Sequence, residues 1–103
     1  MKVRWRGLVV LAVGGWFVAG SPLLAQDDQF QGLPEGPGQE DTYHACTACH
    51  AIHLVKQQRL SRSTWDGLLE LMVEEHGMQE LEPDEHALIL DYLVAHYGRD
   101  VPR

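Results

Sequence analysis

The sequence predicts a small all-α domain of three to four short helices. Two stripes of mostly apolar side chains recur at helical spacing. The first comprises Trp65, Leu68, Leu69, Met72 and Val73, and the second Ile89, Tyr92, Leu93, His96 and Tyr97. No stretch alternates apolar and polar residues as a half-buried strand does. Since a chain of 103 residues has room for one small domain at most, we expect a single helical unit without a sheet.

The first half of this domain carries shorter helical signals. We expect a helix over residues 40–46, because Glu40 and Asp41 suit the positive end of a helix dipole. Residues 51–60 mix apolar and charged side chains, which indicates an irregular or short helical link.

The two later helices have defined starts and stops in the sequence. Ser63 can cap the first free N–H groups of a helix, with Asp66 three residues on as in a capping box. Gly77 is placed to end that helix in the left-handed conformation. Pro83 is tolerated in a first helical turn and predicts the start of the last helix, which Gly98 ends.

The N-terminal segment has the three parts of a secretory signal peptide. Lys2, Arg4 and Arg6 form a basic start, residues 7–25 carry no charge, and the small Ala25 stands at the expected cleavage point. An uncleaved membrane anchor is the alternative, because the uncharged run is almost long enough to span a bilayer.

Composition divides the chain into three parts: a signal peptide over residues 1–25, a flexible leader over residues 26–39 and one domain over residues 40–103. The leader is rich in Gln, Gly, Asp and Pro, which favours a flexible segment. With the signal peptide removed we expect a periplasmic protein, and with it retained a membrane-anchored one.

The chain is acidic, with 15 Asp plus Glu residues against 8 Lys plus Arg. Cleavage after Ala25 would leave five positive and 15 negative residues, a net charge of −10. This charge argues against nucleic acid as a partner. It favours a partner protein that presents a positive patch.

The only two cysteines stand in the run Cys46-Thr47-Ala48-Cys49-His50, which has the C-x-x-C-H spacing at which haem c is attached. Two thiols one helical turn apart can each form a thioether to one vinyl group of the porphyrin, and His50 can then bind the iron from one face. The two cysteines alone could also form a thiol redox pair or half of a zinc site. Neither alternative is supported, because the chain shows no βαβ pattern and no second ligand pair.

The second face of the iron would be either ligated or open, and this choice separates an electron carrier from a reactive centre. Met72 and Met78 are the candidate sulfur ligands. We favour Met72, because a stripe shared with Trp65 and Leu68 holds its sulfur rigidly; Met78, in a loop before the last helix, is the alternative. The remaining histidines also compete, namely His44, His53, His76, His86 and His96.

Taken together, these residues resemble the small monohaem cytochromes c, over about residues 40–98. The matching positions are Cys46-x-x-Cys49-His50, Gln58-Arg59, Trp65 with Met72 seven residues on, Gly77, Tyr92-Leu93 and Tyr97-Gly98. Within that family the chain looks most like the cytochrome subunits of bacterial sulfite dehydrogenases and similar dehydrogenase-linked cytochromes.

The resemblance implies a small cytochrome c fold around one covalently attached haem. It matches Met72 to the methionine ligand, whereas the wider class I pattern puts the methionine in the loop that holds Met78. It also places Arg59 where an arginine could bind a haem propionate. Trp65 is expected either to pack on the haem edge or to belong to the core.

These expectations favour an electron carrier rather than an enzyme, namely a periplasmic cytochrome c with a six-coordinate His/Met haem. It would take single electrons from a dehydrogenase, such as a sulfite dehydrogenase catalytic subunit, and pass them towards an oxidase or another cytochrome. The alternatives are a haem enzyme or gas-binding protein with an open sixth position, and a haem-free C-x-x-C thiol oxidoreductase.

Overall fold

The computed structural model describes residues 28–103, together with Gly7, Ala12, Gly14 and Gly15. Apart from those four residues, the predicted signal peptide lies outside the described part of the chain, as do the first two residues of the predicted leader. Within the described part, no helix is both long enough and apolar enough to cross a membrane.

Four α-helices make up the described domain, which confirms the all-α prediction. They are α1 (Gln39–Thr47), α2 (Ile52–Lys56), α3 (Arg62–Glu75) and α4 (Pro83–Tyr97). Residues 28–103 contain no β-strand, and one isolated bridge pairs Leu60 with Gly98. The link predicted over residues 51–60 contains α2.

The start of α3 differs from the sequence prediction. Ser61 rather than Ser63 is the N-cap, because its backbone is extended (φ −66°, ψ 160°) and its Oγ accepts a hydrogen bond from the Thr64 N–H at 3.3 Å. The predicted capping box is absent from this described helix start. The Asp66 carboxylate instead lies 2.6 Å from the His86 ring nitrogen, which joins α3 to α4.

The predicted ends of the two later helices are confirmed. Gly77 follows α3 with φ +73°, a left-handed conformation that glycine adopts at little steric cost. Pro83 occupies the first turn of α4, with Asp84 and Glu85 beside it at the positive end of the helix dipole. Gly98 directly follows α4.

Helices α1 and α4 approach closely at Gly38, the residue that precedes α1. A Cβ atom on Gly38 would lie 2.9 Å from the carbonyl oxygen of Leu88 and 3.0 Å from the Cβ of Tyr92. One turn on, Thr42 is completely buried and donates its N–H to the Gly38 carbonyl at 2.8 Å. The missing side chain of Gly38 therefore sets how closely the two helices pack.

Helices α3 and α4 pack against each other. Trp65, near the start of α3, donates its indole N–H to the carbonyl of Tyr97, at the end of α4, at 2.9 Å. Arg62 and Asp91 form an ion pair at 2.5 Å across the same two helices. Nine buried apolar residues form the core, namely Leu33, Ile52, Trp65, Leu69, Ile89, Leu90, Tyr92, Leu93 and Tyr97.

The described part of the leader packs against the helices. Leu33 is buried in the core. The Tyr92 hydroxyl donates to the Pro34 carbonyl at 2.6 Å, and the Lys56 ammonium donates to the Gln31 carbonyl at 2.9 Å. Burial, assisted by the neighbouring Tyr97, raises the pKa of Tyr92 to about 12, so this hydroxyl stays protonated and able to donate at neutral pH.

We predict that Gly38→Ala lowers the free energy of unfolding by about 2–5 kcal/mol. The left-handed φ of +89° costs a side-chain-bearing residue about 1–2 kcal/mol, and the overpacking against α4 costs about 1–3 kcal/mol. Urea unfolding of the purified protein measures the change.

Gly67→Ala is the matched control for this prediction. Gly67 lies in the exposed part of α3, and a Cβ there meets no atom within 4 Å, so alanine is expected to stabilise the protein by about 0.5–1 kcal/mol. A Gly38→Ala protein as stable as the wild type would contradict the close helix crossing.

Candidate functional site

An apolar cleft of about 330 Å³ opens between the end of α1, α2, α3 and the loop that joins α3 to α4. This volume falls within the roughly 300–1,000 Å³ range of small-molecule and cofactor sites. Its lining comprises Ala45, Cys46, Cys49, His50, Leu54, Val55, Gln58, Trp65, Leu68, Leu69, Met72, His76, Met78 and Leu93. Most of these side chains are apolar, and the polar ones are few.

The C-x-x-C-H run forms the wall of the cleft at the end of α1. Helix α1 ends at Thr47, but the His50 N–H still donates to the Cys46 carbonyl at 3.2 Å, so the chain completes one more turn. That turn brings both cysteines and His50 to the same cleft. Cys46 is half-buried against the core, whereas Cys49 and His50 are exposed at the opening.

Burial raises the pKa of the Cys46 thiol from 9.0 to about 11. The thiol is therefore protonated at neutral pH, and a smaller fraction of it is thiolate than in an unperturbed cysteine. Because the thiolate is the nucleophile in disulfide exchange, this cysteine is a poor attacking group.

Both candidate methionines line the cleft, at the end of α3. The Met72 carbonyl accepts the His76 N–H at 3.2 Å and the Met78 N–H at 2.9 Å. The left-handed Gly77 turns the chain so that the second of these bonds can form. The end of α3 and the turn after it thus bring both methionines to the cleft that His50 also lines.

His76 is the one histidine, among the five weighed as alternative ligands, that lines the cleft. The side chains of the other four have partners elsewhere in the described domain. His44 lies 3.7 Å from Glu40, His53 3.4 Å from Gln57, His86 2.6 Å from Asp66, and the His96 ring stacks on Tyr92 at 4.6 Å.

Trp65 belongs to the core and also lines the cleft. The residue is 5% exposed, and its indole N–H bonds the Tyr97 carbonyl. The core role that the sequence left open for Trp65 is confirmed, and its packing on a haem edge stays a prediction.

Arg59 is the one predicted site residue that the structure places apart from the cleft. Its guanidinium donates to the carbonyls of Val101 at 3.1 Å and Pro102 at 3.2 Å, and to those of Lys56 and Gln58. It also lies over the Tyr97 ring, 5.2 Å from the centroid. These contacts engage most of the five N–H donors of Arg59. The role of Arg59 towards a haem propionate stays a prediction.

The cleft also contains residues that the sequence did not single out as site residues. Gln58, beside Arg59, contributes a polar side chain to the lining, and Ala45 and Leu93 contribute apolar surface. Leu54 lines the cleft while 46% of its surface is exposed. In the sequence, the only sign that Leu54 lines the cleft is that it is an apolar residue close to the C-x-x-C-H run.

The comparisons with known proteins found no relative of this chain. No protein-family model matches the chain, no curated protein matches it, and no solved structure matches its fold.

Proposed function

We propose that this protein is a monohaem electron-transfer cytochrome c. One observation carries the proposal: a single apolar cleft brings together Cys46, Cys49 and His50 with the sulfur-bearing side chains of Met72 and Met78. Attachment and axial ligation of a haem c require these residue types around one cavity.

Each of these residues has a defined task in the proposed site. Cys46 and Cys49 hold the haem through thioethers, His50 provides one axial ligand, and Met72 the other, with Met78 as the alternative. When bound, haem c supplies an iron that exchanges one electron at a time. Placing Met72 within α3 rather than in the following loop holds its sulfur in a fixed position.

The lining of the cleft supports a haem as the ligand. The partly buried Leu68 and Val55 offer an apolar surface to a flat, mostly apolar group, above the buried Leu69 and Leu93. Leu54 is 46% exposed at the cleft, and a bound haem would cover part of its surface. An apolar lining also keeps water away from the methionine sulfur, which preserves a weak sulfur ligand.

The competing functions find less support in the same residues. A thiol oxidoreductase requires a reactive thiolate, whereas burial raises the pKa of Cys46 to about 11. An open sixth position, as in a peroxidase or gas-binding protein, is disfavoured because two methionines and a histidine line the cleft beside His50.

The charge distribution supports a cationic redox partner. Residues 70–85, here called the acidic stretch, hold seven acidic residues and no Lys or Arg. This stretch also contains Met72, His76 and Met78, which line the cleft. By the resemblance, the partners are a periplasmic dehydrogenase, such as a sulfite dehydrogenase catalytic subunit, and an oxidase or another cytochrome.

Covalent attachment is the first prediction of this proposal. We expect haem to remain on the exported protein in a denaturing gel stained for haem, since thioethers survive unfolding. The variant Cys46→Ala/Cys49→Ala should lose the stain completely. Ala48→Ser changes an exposed residue between the two cysteines and should retain it; an unstained wild-type protein would contradict the proposal.

Axial ligation gives the second prediction. The reduced wild-type protein should have a low-spin c-type absorption spectrum that carbon monoxide does not change, because both axial positions are filled. Met72→Leu keeps the apolar lining but removes the sulfur, so its reduction potential should fall and its spectrum should change. Met78→Leu is the matched control and should leave both properties near wild type; the reverse result would assign the ligand to Met78.

Electrostatic steering gives the third prediction. Electron transfer from a cationic redox protein should slow by about tenfold or more between low and high salt. Glu74→Gln/Glu75→Gln should lower the low-salt rate several-fold. The control Glu35→Gln/Asp100→Asn removes the same charge from exposed positions outside the acidic stretch and should have a smaller effect. A rate that does not depend on salt would rule out steering.

A further inference from the structure

We propose that His76 is a reserve axial ligand, which takes the sixth coordination position when the methionine sulfur leaves it. The inference rests on the proposed function, because it concerns the same iron. It goes further in giving the cleft a second ligand of different chemistry, and so a second reduction potential for the same iron.

His76 lies close to both candidate methionines along the chain. The residue lies one helical turn after Met72 and two residues before Met78, and all three line the cleft. It is the C-cap of α3, with φ −118° and ψ 10°, so the regular helix has already ended at its position. Its N–H still bonds the Met72 carbonyl at 3.2 Å, so the backbone holds the residue at the cleft.

The histidines differ in whether their side chains are engaged by neighbours in the described domain. Each of the other four alternative histidines has a side-chain neighbour in the described domain, namely Glu40, Gln57, Asp66 or the Tyr92 ring. For His76, no side-chain hydrogen bond or ion pair is found within residues 28–103, and the residue is exposed. Moving this imidazole towards the iron would therefore break no described side-chain bond.

The chemistry of the exchange is balanced without any further reactant. The exchange would replace an iron–sulfur bond by a bond from the lone pair of the neutral His76 imidazole, and no electron would be gained or lost. Methionine raises the potential of a haem relative to a second imidazole, so the histidine-bound form has the lower potential. The exchange would thus convert a good electron acceptor into a poorer one.

The test removes both sulfurs from the haem-bearing protein. The variant Met72→Ala/Met78→Ala should remain low-spin in the ferric state and bind carbon monoxide poorly when reduced, because His76 fills the sixth position. Adding His76→Ala should make the ferric protein high-spin and let the reduced protein bind carbon monoxide readily. Adding His53→Ala instead is the matched control, and it should leave the low-spin state unchanged.

Two results would overturn the inference: a double variant that is already high-spin, or one whose low-spin state survives His76→Ala. Circular dichroism of each variant verifies that the helices are retained. If the double variant loses them, Met72→Ala with and without His76→Ala decides the same question, and a spin state that does not depend on His76 again overturns the inference. A wild-type protein without haem would overturn the proposed function as well, whereas the other failures leave that function intact.

Discussion

The crossing of α1 over α4 at Gly38 is the constraint on which the rest of the domain depends. A side chain at Gly38 would meet the Leu88 carbonyl, so only a bare backbone allows the two helices to approach this closely. Helix α1 contains Cys46, and α4 carries Leu93 on the cleft lining. The position of the cysteine-bearing wall relative to the core therefore follows from one glycine that does not itself line the cleft.

A second contact fixes the opposite wall. Trp65 reaches from α3 to the Tyr97 carbonyl, so the helix that carries Met72 is attached to the end of α4 by a buried hydrogen bond. Leu69 and Leu68 extend the same helix face towards the cleft. The two walls thus share α4 as a common support, and residues of both line the cleft. Covalent attachment at one wall and axial ligation at the other would join them through the haem.

The sequence predicted the features that depend on local chemistry and missed those that depend on distant contacts. Gly77 and Pro83 end and begin helices for reasons internal to each turn, and both were predicted correctly. Ser61 and Ser63 can each cap a helix, and only the path of the preceding backbone decides between them. Arg59 bonds carbonyls more than 40 residues further along the chain, so its placement could not be read from its neighbours.

The bonds of Arg59 have a consequence for the order in which the site is assembled. Gln58, which lines the cleft, is adjacent to an arginine that bonds the carbonyls of Val101 and Pro102. In a chain that crosses a membrane from its N-terminal end, Cys46 emerges well before residues 101 and 102. If haem is attached as the chain emerges, as the proposed function implies, the cysteines would be accessible before the Arg59 contacts with residues 101 and 102 can form.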